Sequence, residues 1–194
     1  MACPIPVGPG TGALGAVEPF EFVPQSDGVL TLRVTVSPAE GNVDVNPDND
    51  TQSVLLLIGP APVADLAVTN LELTTEQPAV NEPFDFLADV TNLGPEPTYG
   101  GTLRFLALGE GLELGTVASG CVGNAFDNDG DGVNDGVVVT CGLAALGVGD
   151  TDGNGRLRII PRTAGTISVR ATVSPAVATD PNRNNDRAFL QLEL

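Results

Sequence analysis

The segment Asp127-Asn-Asp-Gly-Asp-Gly-Val-Asn-Asp135 is where this sequence concentrates groups able to do chemistry. Carboxylates occupy positions 1, 3, 5 and 9 of the run, and glycine occupies position 6. Loops that wrap Ca²⁺ need this spacing. Asp127, Asp129 and Asp131 would be ligands, Gly132 would allow the sharp turn, the Val133 carbonyl would follow, and Asp135 would bind directly or through water. A closing bidentate Glu at position 12 is replaced by Val138, so the expectation is a lone cation loop between strands, with affinity on the order of 10⁻⁴ to 10⁻³ M. The alternative is a solvated acidic turn, against which stands the cost of crowding four carboxylates without a cation.

A second, poorer version places Asp150, Asp152 and Asn154 at positions 1, 3 and 5 and Gly155 at position 6. Its ninth position is Arg158, which binds no cation, so a turn and a metal loop compete for this segment. Asp44, Asn46, Asp48 and Asp50 form a third acidic cluster, broken by Pro47 and lacking glycine. Asn49-Asp-Thr51 is a glycosylation sequon. The chain contains no His and no Lys, so the usual activators of a Ser, Thr or Asp nucleophile are missing and an enzyme is not expected. Isopeptide bonds between Lys and Asn are excluded on the same ground.

The elements that must position these loops are legible from an internal repeat. Gly28-Val-Leu-Thr-Leu-Arg-Val-Thr-Val-Ser-Pro-Ala39 returns as Gly165-Thr-Ile-Ser-Val-Arg-Ala-Thr-Val-Ser-Pro-Ala176, an offset of 165 − 28 = 137 residues. In both copies apolar side chains alternate with Thr, Ser and Arg, the period of a strand with one buried face. An acidic turn follows each copy, Asp44 to Asp50 and Asp180 to Asp186. Each copy then closes with a strand, Val54 to Ile58 and Leu190 to Leu194, at an offset of 190 − 54 = 136. Leu55 and Leu57 stand where the second copy has Gln191 and Glu193, so the first closing strand is apolar on both faces, which predicts either an interface there with the next domain or another subunit, or a loop packed over it.

Composition agrees with short strands and turns: 24 Gly, 16 Pro, 4 % aromatic residues and no Trp in a chain of 194. The net charge of −17 repels nucleic acid and anionic membranes, making cations the natural ligands. No run of about 18 apolar residues is available to cross a bilayer, and Met1-Ala-Cys-Pro lacks the pattern of a signal peptide. Residues 1 to 16 read as loop, Phe20 to Phe22 as the start of a strand, and 59 to 64 as a stiff Pro-rich linker. Beyond it, strands are predicted over Leu66 to Leu73, Phe84 to Thr91, Thr102 to Leu108, Leu112 to Val117 and Val137 to Cys141, followed by the repeated cassette.

Ala64-Asp-Leu-Ala-Val68, Asp89-Val-Thr-Asn-Leu-Gly-Pro95, Gly111-Leu-Glu-Leu114 and Asp180-Pro-Asn-Arg-Asn-Asn-Asp186 together resemble the conserved-repeat domain of bacterial and archaeal surface proteins. That class is immunoglobulin-like and akin to cell-adhesion-related domains in bacteria. The acidic loop at 127 to 135 likewise resembles the repeats of thrombospondin type 3 and dockerin modules. The resemblance implies an all-β, antiparallel immunoglobulin-like β-sandwich at the cell surface or outside the cell. Residues 65 to 194 would be one complete repeat and 1 to 58 the latter half of a preceding one. In an exported protein Cys121 and Cys141, which flank the calcium loop, would form a disulfide rather than remain free thiols. Cys3 lies 141 − 3 = 138 residues before Cys141 and matches the second cysteine of the preceding unit, leaving it unpaired in this chain.

The expected role is that of a structural block in a filament or tandem-repeat stalk. Its partners would be copies of itself or adjacent repeats, with no nucleic acid and no membrane insertion. The incomplete first unit would be either a window on a longer repeat protein or a half-domain completed by a neighbouring subunit. The competing role is a Ca²⁺-dependent adhesin holding a carbohydrate or protein ligand.

Overall fold

A computed structural model describes residues 21–38, 43–46, 48 and 50–194. Cys3, Asn49 and the loop expected over 1 to 16 lie outside the described residues. The chain divides into two compact units, Met1–Gly59 and Pro60–Leu194.

In the first unit, β1 (Gly28–Thr35) and β2 (Thr51–Ile58) pair antiparallel as a two-stranded sheet. Glu21 and Phe22, expected to begin a strand, belong to none. Along the hairpin Leu30 faces Leu56 and Leu32 faces Val54 on one side, while Thr31 faces Leu55 and Val29 faces Leu57 on the other.

The second unit contains β3 (Leu66–Leu73), β4 (Phe84–Asn92), β5 (Gly101–Leu108), β6 (Leu112–Leu114), β7 (Cys121–Phe126), β8 (Gly136–Leu143), β9 (Thr151–Pro161), β10 (Thr166–Pro175) and β11 (Arg187–Glu193). They form a five-stranded sheet in the order β11-β10-β5-β8-β7 and a four-stranded sheet in the order β3-β4-β9-β6. Every pairing between strands is antiparallel. Apolar residues at alternate positions along the strands fill the space between the sheets. Phe84, Phe86, Ala88 and Val90 from β4 meet Leu103, Phe105 and Ala107 from β5 and Ile167, Val169, Ala171 and Val173 from β10, all buried. With no Trp, the three phenylalanines are the largest side chains of that core, and Phe84 and Phe86 meet edge to face at 5.7 Å between ring centroids. The unit is an immunoglobulin-like antiparallel sandwich.

The repeat appears as geometry. Leu30↔Leu56 in β1–β2 becomes Ile167↔Leu192 in β10–β11, and Leu32↔Val54 becomes Val169↔Leu190. The closing hydrogen bond repeats as well: Val36 N donates to Asp50 O at 2.9 Å, and Val173 N to Asp186 O at 2.8 Å. Burial differs. Leu30 and Val34 are 36 % and 51 % exposed, whereas their counterparts Ile167 and Ala171 are 3 % and 0 % exposed.

Two expectations meet a different structure. Residues 62 to 64, read as linker, are bound into the second unit: Thr179 N donates to Pro62 O, Ala64 N to Thr179 O and Glu96 N to Val63 O. The Leu112 strand stops at Leu114, and Gly115 N donates to Arg158 O.

Candidate metal centre and its scaffold

The acidic loop sits at the tip of the β7–β8 hairpin, whose register runs from Cys121↔Cys141 to Phe126↔Gly136. Gly123 and Asn124 interrupt the apolar alternation of Cys121 to Phe126, so sequence reasoning missed β7. Only the pairing offered by β8 makes it a strand. A disulfide joins Cys121 and Cys141 across the pair farthest from the loop.

Backbone amides fix the loop from inside. Asp127 accepts from Gly130 N at 2.7 Å through Oδ1 and from Gly132 N at 2.9 Å through Oδ2. Asp129 accepts from Asp131 N, Asp131 from Val133 N, and Asp135 from Asn128 N at 2.7 Å. Gly130 and Gly132 hold φ of 80° and 88°, which an L side chain rarely adopts, and this explains the glycines at those places. The hydrogen bonds from Gly130 and Gly132 hold the Asp127 carboxyl below its usual range.

Asp127, Asp129 and Asp135 offer carboxylate oxygens that all lie within 4.8 Å of one another. Three hard oxygen donors at that spacing suit a divalent cation such as Ca²⁺. Asp131, expected as a fourth carboxylate ligand, is not in this group; like the other three it accepts a loop amide, from Val133 N. The loop is anchored to the core sandwich by Asp135 O and Asn134 O, which accept from Gly109 N and Gly111 N at 3.0 and 2.8 Å.

The second acidic segment is a turn only at its start, where Asp150 N donates to Gly147 O. Thr151 to Pro161 form β9, with Thr151 opposite Thr91 and Asp152 opposite Val90, and a bulge sets Gly153 and Asn154 against Asp89. Pairing with β4 therefore overrides the turn preference of Asp, Gly and Asn. Asp150 accepts from Gly147 N through its carboxylate, while Asp152 accepts from both Asn154 N and Asn154 Nδ2. Arg158 is taken up elsewhere, forking onto Asp85 at 2.8 and 2.9 Å beside Arg156 at 2.8 Å. Burial would push the Asp85 carboxyl up, but the two guanidiniums hold it below the usual range.

The Thr-Asn-Leu-Gly motif has a structural cause. Asn92 is fully buried and saturated, donating to Glu96 O and Leu146 O and accepting from Gly94 N. Gly94 lies so close to the start of β3 that a Cβ would stand 2.3 Å from Asp65 N. The Asp180 to Asp186 turn closes the same end. Asp180 accepts from Leu66 N at 2.9 Å and from Asn182 N at 2.9 Å, and Asn185 donates to Asp65. Asp186 is pushed up to about 6, first by burial and then by the charge of Asp180 and its hydrogen bond; Asp65 adds to this and Arg183 opposes it. The first unit repeats the Asx turn, with Asp44 accepting from Asn46 N at 2.7 Å.

Among the described residues, no helix is long and apolar enough to cross a membrane. No protein-family model matches the sequence, and no curated protein does. Among solved structures, the CARDB domain of a Pyrococcus furiosus protein in complex with di-metal ions is similar at 18 % identity. The match covers 67 % of this chain and 87 % of that one, with a TM-score of 0.44. A cohesin module from a Clostridium perfringens family 33 glycoside hydrolase matches at 7 % identity over 69 % and 96 % of the two chains, TM-score 0.37. An immunoglobulin-like protein from Nocardia farcinica matches at 13 % over 67 % and 97 %, TM-score 0.32.

Proposed function

We propose that this chain is a structural building block of an extracellular filament or tandem-repeat surface stalk. In this reading its first unit is completed by strands from a neighbouring repeat or subunit. One observation carries the reading: the same hairpin is built twice in the same register, and Leu30, Leu32 and Val34 are exposed or half-buried where Ile167, Val169 and Ala171 are buried. A two-stranded hairpin with a partly exposed apolar face is marginal in water and gains from a partner that buries it. Leu55, 41 % exposed, and the half-buried Leu57 place further apolar surface on the opposite face of β2.

In the same reading Ca²⁺ bound by Asp127, Asp129 and Asp135 stiffens the loop at one end of β7–β8, and the disulfide clamps the other. The role is mechanical and not catalytic. Electron micrographs of the purified chain in Ca²⁺ should show linear assemblies that shorten on chelation. Uniform particles of single-chain mass under both conditions would contradict the proposal.

A further inference from the structure

The outer face of the five-stranded sheet has a composition unlike the rest of the molecule. Its five strands carry three of the eight arginines, Arg104, Arg170 and Arg187, and a single carboxylate, Glu193, in a chain of net charge −17. Glu193 is engaged by the Thr166 hydroxyl. Cross-strand register sets Arg170 directly between Phe189 and Leu106, and Thr172 between Arg187 and Arg104. Phe189 is 67 % exposed, although Ser53 holds the matching place in the first unit. A groove of about 330 Å³ runs over Leu106, Leu108, Arg170, Phe189 and Gln191. Among the described residues the Arg170 Nε–H is buried without an acceptor, so a guanidinium at the floor of an apolar groove has a donor open to an anion.

An occupant of this groove must present apolar side chains around a carboxylate. The turn of the first unit does so with Val43, Asp44 and Val45, whose valines are 88 % and 97 % exposed. In the second unit the place of Val43 is taken by Thr179, which is bonded to Pro62 and Ala64. We propose that the Phe189–Arg170 groove of one copy receives the Val43-Asp44-Val45 turn of a second copy, with the Asp44 carboxylate on the Arg170 guanidinium. The two surfaces differ, so the contact is head to tail and propagates into a chain instead of closing a dimer. This contact rests on the filament reading and supplies one of its joints.

The test is sedimentation of the full chain across a concentration series, with variants at both surfaces. Arg170→Glu and Asp44→Arg should each weaken self-association by at least about tenfold, as loss of a buried anchor does. Combining the two should restore it, and Phe189→Ser should weaken it without touching charge. Thermal melts establish that each variant is folded; Phe189→Ser keeps the test valid if a charge reversal is not. Wild-type association unchanged in Phe189→Ser and in the folded charge variants overturns the groove assignment while leaving the filament reading standing. A wild-type chain monomeric at every concentration overturns both.

Discussion

At the residue scale, the buried Asn92 side chain ties together three backbone groups. Replacing Asn92 with Ala leaves the buried Gly94 N without its acceptor and Glu96 O without its donor, while Leu146 O keeps Thr98 N, and the expected cost is about 2–3 kcal/mol in urea unfolding. Asp186 sets a pH dependence. Its carboxyl, at about 6 when folded against an ordinary value of about 3.9 unfolded, binds more protons in the native state. Stability from this group is therefore full below about pH 4 and is lost as pH rises through 6. Urea midpoints of the second unit's unfolding should fall over that window, and Asp186→Asn should flatten the fall. Asp85 has the opposite sign: its contribution is present above the unfolded carboxylate range and is lost as pH falls through its lowered folded value. The roles of Asn92 and Gly94 could not be read from the sequence. A motif marks that a turn is special, but one of the carbonyls it satisfies, Leu146 O, comes from 54 positions away, and the backbone that Gly94 approaches is that of Ala64 and Asp65.

At the scale of elements, alternation carried the strands of the core. It located β3 from Leu66 to Leu73 and the inward sides of β4, β5 and β10, because burying one face forces a period of two. It failed where pairing rather than pattern makes the strand, at β7 and the first half of β9. The cation loop was legible in its spacing, since glycine at positive φ and alternate carboxylates are both local requirements; that Asp131 would stand outside the cluster of Asp127, Asp129 and Asp135 was not. Two expectations attach to the β7–β8 hairpin. Cys121→Ser with Cys141→Ser should lower stability by roughly 3 kcal/mol in the chain-entropy model for a separation of 20 residues. Titrating Ca²⁺ after chelation should raise the melting temperature of the second unit, and an Asp127→Ala, Asp129→Ala double variant should lose the response. A rise of equal size in the double variant would remove Ca²⁺ from this loop.

At the scale of the whole molecule, the two copies of one hairpin form an internal control. The likeness of their sequences predicted equal geometry, and the register agrees pair for pair. Burial could not follow from the cassette alone, because it depends on the strands that cover it: the second copy lies over β3, β4 and β9, whereas the first is paired within its own unit as a two-stranded sheet. Hydrogen exchange tests this contrast most directly, with both hairpins observed in one sample. In the dilute, dissociated chain the amides of Gly28–Thr35 and Thr51–Ile58 should exchange orders of magnitude faster than those of Thr166–Pro175 and Arg187–Glu193. Under assembling conditions they should become protected. Equal protection of the two hairpins in the dissociated chain would contradict the account, because the first unit would then be stable without a neighbour.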